Sequence, residues 1–153
     1  MRATIIVLCA ALALLPGRAA AQTGVPECGG LERGFRAWAE SGPAEAVRRW
    51  LEGSLISDGD ELIVAMGRLE GMFGKVTGYE LVREVWVAPS LKRVYVLTQH
   101  TNAPSFAYFD CYRTGERWTV TNIRLNSKAS EILPPDAFWL SGPVAGDPVS
   151  RHR

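Results

Sequence analysis

Apolar residues recur with a helical period in the first half of the chain and with a period of two in the second. Leu31, Phe35 and Trp38 fall at i, i+4 and i+7, which predicts a short helix ending near Ser41-Gly42. Pro43 suits the first position of a second helix, with Ala44, Val47, Leu51 and Leu55 along one face. Ser57-Asp58-Gly59 breaks that pattern. Asp58 followed three residues later by Glu61 has the spacing of a capping box, so a third helix is expected to start there. Leu62, Met66, Leu69 and Phe73 share its apolar face, and Gly67, Gly71 and Gly74 share another. Interior glycines weaken a helix by up to ~1 kcal/mol each relative to alanine. The glycine stripe therefore predicts either close approach of another backbone or an irregular helix end.

From Tyr79 onward β-branched and aromatic residues dominate. Strands are expected over Tyr79–Ala88, Leu91–Thr101, Ser105–Arg113 and Arg117–Asn126. Pro89-Ser90, Asn102-Ala103-Pro104 and Thr114-Gly115-Glu116 separate them, and connections this short require antiparallel neighbours. In the fourth strand Trp118 and Val120 share one parity while Ile123 and Leu125 share the other. A bulge near Thr121-Asn122 accounts for the slip. Residues 127–133 add a last helical turn before Pro134-Pro135. The sum is an α+β domain, N-terminal helices packed on one face of a curved four-stranded antiparallel sheet.

The N-terminus sets the compartment. Arg2 precedes an apolar run over Thr4–Leu15, Pro16-Gly17 ends it, and Ala19-Ala20-Ala21 forms a small-residue cleavage site. The run is roughly half the ~20 residues of a spanning helix, so residues 1–21 are expected to be a removed signal peptide and not an anchor. This leaves a single domain over 22–140, a Gly/Pro-rich tail at 141–153 that is expected to be disordered, and a periplasmic or secreted location. Removing Arg2 and Arg18 leaves 15 basic side chains against 16 acidic ones. That balance offers no electrostatic footprint for nucleic acid and no basic stripe for a membrane surface. Of three cysteines, Cys9 departs with the signal. Cys28 and Cys111 are expected to pair as a disulfide in an oxidising compartment.

The helix–sheet order, with Glu61–Phe73 as its long helix, Gly74-Lys75-Val76-Thr77-Gly78 leading into the first long strand and Gly115-Glu116-Arg117-Trp118 opening the last, resembles the NTF2-like group of the cystatin-like superfamily, here as an exported bacterial protein. The resemblance spans about residues 44–125. It implies a bent sheet wrapping a helix as a cone, and relatives of this shape commonly form homodimers. Enzymes of the group place an acid or base inside the cone, for which Asp110 and His100 are the candidates. A dry Asp110 would have a raised pKa. It shares a strand face with Phe106, Tyr108 and Tyr112, and it could instead pair with Arg117 or Arg124. Glu80 and Glu84 share a strand face with Trp86.

Trp86, Tyr95, Tyr108 and Tyr112 are candidates for a ligand or partner surface, although strand aromatics usually serve the core. No metal-ligand cluster, phosphate loop or nucleophile elbow occurs, and no cofactor or metal is expected. The Gln-x-Val-x-Gly loop of cystatin-type inhibitors is also missing. The expectation is therefore a non-enzymatic exported module that binds a small apolar molecule or an envelope protein on its concave sheet. An acid/base isomerase, cyclase or hydratase using Asp110 or His100 is the alternative.

Overall fold

A computed structural model describes residues 28–138; the expected signal peptide and the tail from 141 lie outside them. Helices α1 (Leu31–Ser41), α2 (Pro43–Trp50) and α3 (Asp60–Phe73) precede strands β1 (Val76–Ala88), β2 (Leu91–His100), β3 (Ser105–Thr114) and β4 (Arg117–Asn126). Two 3-10 turns follow, Ala129–Glu131 and Pro135–Phe138. The strands form one antiparallel sheet in the order β1-β2-β3-β4, an α+β meander as the turn signals require.

Period-two patterning decides which side meets the helices. Lys92, Val94, Val96, Thr98 and His100 of β2 are buried, as are Ser105, Ala107, Phe109 and Cys111 of β3. Against them α1 and α2 bring Phe35, Trp38 and Trp50. Phe35–Trp50 and Trp50–Phe109 ring centres are each 5.0 Å apart, edge to face. Each large side chain removed from water here contributes roughly 2–3 kcal/mol. The Trp50 indole N–H donates to the Leu31 carbonyl at 3.0 Å, so its burial leaves no orphan donor.

Cys28 and Cys111 form a disulfide with a Cα–Cα distance of 5.7 Å, tying the start of α1 to the inner strand β3. Thr121 is the extra residue in β4, between the pairs Asp110–Asn122 and Cys111–Val120, where the parity slip places a bulge. After β4 the chain crosses the side of the sheet away from the helices. Asp136 accepts a hydrogen bond from Arg83 of the opposite edge strand at 2.5 Å, and Ile132 and Tyr95 are buried without joining the helix-side core.

Several local expectations are corrected. α2 ends at Trp50, so its buried face is Ala46, Val47 and Trp50, while Leu55 lies beyond the helix and is 96% exposed. α3 has no side-chain cap at its start: Asp58 instead accepts from the Asp60 backbone N–H, an Asx turn before the helix. Gly67 and Gly71 receive no backbone, because nothing lies within 4 Å of where a Cβ would sit, and the helix is regular to Phe73. Gly74, at φ 85°, is the residue that ends it. β1 carries register shifts at Thr77, Val82 and Val87; the one at Val82 turns Glu84 and Trp86 toward the helices and leaves Glu80 on the far side.

Candidate functional site

α3 starts beside the bulged half of β4, and between them lies a cleft of about 400 Å³. Leu51, Ile56, Leu62, Ala65, Ile123 and Leu125 supply its apolar lining, while Asp58, Glu61, Thr121, Asn122 and Arg124 complete its wall. The local sequence explains the opening. The Thr121 bulge shifts parity so that Ile123 and Leu125 face the helices, and bulges bend the strand that carries them. Ser54 donates to the Val120 carbonyl at 2.5 Å, which pins the α2–α3 loop across the end of the cleft. Leu51, Ile56, Leu62, Ile123 and Leu125 pack on the core yet remain half-buried. Here the core reaches solvent.

A second, larger cavity of about 580 Å³ lies where the described chain begins, between Cys28–Arg33, Glu52-Gly53 and Glu116–Trp118. Its walls carry Glu32, Arg33, Glu52, Glu116 and Arg117, with Leu31 and Trp118 as their large apolar side chains. Small-molecule sites are lined mainly by apolar groups with a few placed polar ones. The cleft fits that description and this cavity does not.

The residues singled out from sequence fall in three separate places. His100 is buried between Trp38 and Phe73, with ring centres 5.7 and 6.0 Å away. Its Nδ1 lies 2.9 Å from the Gly74 carbonyl, which can only accept, so Nδ1 carries the proton. Nε2 then accepts from the Ser105 hydroxyl, also at 2.9 Å. Both ring nitrogens are engaged in joining the end of α3 to the β2–β3 turn.

Asp110 shares the far face of the sheet with Tyr108 and Tyr112, as the alternation implies. Its partner is Arg93 on the neighbouring strand, and not Arg117 or Arg124: Nε and Nη2 donate to its two oxygens at 2.6 and 2.8 Å. Asn122 adds a donor at 3.1 Å, and the Arg93 guanidinium lies 4.0 Å from the Tyr108 ring centre. Burial by itself pushes the Asp110 carboxyl up, but Arg93 and Asn122 outweigh it and hold the group below the usual carboxylate range. The raised value expected of a dry carboxylate is thus reversed by a cross-strand arginine.

Tyr95 is buried on the same far face, and Tyr112 is 45% exposed there. Trp86 stands on the opposite, helix-facing side, next to Lys92. None of Trp86, Tyr95, Tyr108 and Tyr112 lines either cavity.

Lys92 was missed from sequence. It is only 3% exposed, and its ammonium lies 5.1 Å from the Trp86 ring centre and 4.7 Å from that of Trp118. Glu84 is 3.6 Å away. Two indole faces and one carboxylate offset the desolvation of the charge. The signal was present: Lys92 has the parity of Val94 and Val96, so alternation alone turns it inward.

Comparisons with protein-family models, curated proteins and solved structures find no match for this chain. Among the described residues no group of three metal-ligating side chains comes together, and no helix is long and apolar enough to cross a membrane. The disulfide is compatible with an exported protein.

Proposed function

We propose that this is an exported, periplasmic or secreted binding module of the NTF2-like kind that takes an apolar group into the α3–β4 cleft. One observation carries the reading: five half-buried core residues are presented to solvent together, in a concavity with Asp58 and Glu61 on its helix side and Arg124 on its strand side. Its volume falls within the range of small-ligand sites. The two acid/base candidates support binding over catalysis, because both ring nitrogens of His100 and both oxygens of Asp110 are already partnered within the fold.

Titration with a neutral apolar dye that brightens on burial tests this. The oxidised protein should take up one equivalent. Ala65→Arg, which fills the cleft from α3 outside the buried core, should abolish uptake while leaving the unfolding transition in place. Equal uptake by the variant, or none by the parent, would remove the cleft from consideration.

A further inference from the structure

Thr121, Asn122, Ile123, Arg124 and Leu125 all border the cleft, although successive strand residues point to opposite faces. Five consecutive lining residues mean that the cleft runs along the edge of β4 and meets its backbone. Among the described residues β4 is the last strand of the sheet, and its outer N–H and C=O groups have no neighbouring strand. Among the described residues, Ser54 to the Val120 carbonyl is the one hydrogen bond that reaches this backbone from outside the sheet. From Asn122 to Asn126 no backbone hydrogen bond from outside the sheet is made among the described residues, and the register with Phe106–Asp110 is unbroken. The other edge differs. β1 is interrupted at Thr77, Val82 and Val87, and such bulges blunt an edge against pairing.

Resting on the cleft as the binding site, we infer that its occupant is an extended polypeptide segment that adds to β4 as a fifth strand. Main-chain hydrogen bonds to Asn122–Asn126 hold the segment, and every second side chain enters the apolar floor at Leu62, Ala65 and Leu125. Charge narrows the sequence. Asp58 and Glu61 stand on the facing wall, and among the described residues neither has a basic side chain within ion-pair distance. The segment therefore carries apolar residues at alternate positions and a lysine or arginine directed at α3. A compact apolar molecule would fill the floor and leave the strand edge unused.

Selection from a display library of ten-residue segments on the oxidised protein, with counter-selection on Ala65→Arg, tests the inference. Enriched segments should show the alternation and the basic residue. Methylating the backbone nitrogens that face β4 in a synthetic copy should weaken binding about tenfold, the worth of two main-chain hydrogen bonds, while methylating the opposite set should leave it unchanged. Equal effects of the two sets, or no enrichment over Ala65→Arg, overturn strand addition. Dye uptake separates the two failures: if it persists in the parent and is lost in Ala65→Arg, the apolar cleft stands and only the peptide falls.

Discussion

Gly34 lies in the middle of α1, where alanine would ordinarily stabilise the helix by about 1 kcal/mol. The structure reverses that sign. A Cβ on Gly34 would sit 2.0 Å from Trp50 Nε1 and 2.1 Å from its Cδ1, closer than any non-bonded pair tolerates. The indole cannot retreat, because it is fully buried against Phe35, Trp38 and Phe109 and its N–H is committed to the Leu31 carbonyl. Overpacking of this kind costs about 1–3 kcal/mol, and an indole N–H forced off its acceptor adds about 1–3 more. Against the helix-propensity gain, Gly34→Ala should lose about 2–4 kcal/mol, a large share of a typical total of ~5–15 kcal/mol. Gly67→Ala and Gly71→Ala serve as internal controls. They lie in a helix too, with nothing within 4 Å of the added carbon, and each should gain up to about 1 kcal/mol. Urea unfolding followed by tryptophan fluorescence reads all three, with the Gly34→Ala midpoint about 1–2 M lower. A Gly34→Ala midpoint equal to or above the parent's, with the controls behaving as stated, would show that the α1–α2 contact is wrong.

Two further outcomes follow from the same packing. Replacing Cys28 and Cys111 together by alanine opens a connection of 83 residues and should cost up to about 4.5 kcal/mol by loop entropy, read by urea unfolding; native unreduced protein should show no reactive thiol at either position. Asp110→Asn should lose about 1–2 kcal/mol at pH 7, at the low end because the Arg93 side chain is 35% exposed and solvent screens the pair. The folded carboxyl titrates below its unfolded value of about 4, so this stabilisation is complete above that pH and fades as pH falls through the folded value. The gap between Asp110→Asn and parent should narrow below pH 4, and an undiminished gap at pH 3 would contradict the Arg93 pairing.

Elements defined by local rules were legible in the sequence. Alternation and turn residues located all four strands within a few positions, and the parity slip between Val120 and Ile123 located the β4 bulge. Three kinds of feature were not legible. The β1 bulges fall in a run of β-branched and aromatic residues where either parity looks apolar, so Glu80 and Glu84 read as one face. Gly34 resembles any weak helix residue until Trp50, on the next helix, claims the space above it. The cleft depends on how far α3 stands from the bent end of β4, a distance that neither segment encodes alone. Leu62 was placed on the apolar face of α3 and does pack on the core, but its partial exposure is a property of that gap.

The distribution of fixed and open seams bears on how the cleft can work. One end of the sheet's helix side is held by the Cys28–Cys111 bridge and by Lys92 clamped between Trp86 and Trp118. The other is held by His100, hydrogen-bonded at once to the end of α3 and to Ser105 of β3. The aromatic cluster of Phe35, Trp38, Trp50 and Phe109 fills the space between. Among the described residues the α3–β4 seam has no comparable bridge of its own: Leu62 and Ala65 on the helix and Ile123 and Leu125 on the strand face a shared gap, closed at one end by Ser54. An apolar side chain entering there packs against surfaces that the core already presents and disturbs none of the charged or sulfur links that hold the sheet. The unfolded chain has no such seam, so an occupant binds the folded state alone. Binding there should therefore raise the stability of the fold by mass action, with the disulfide and both clamps unchanged.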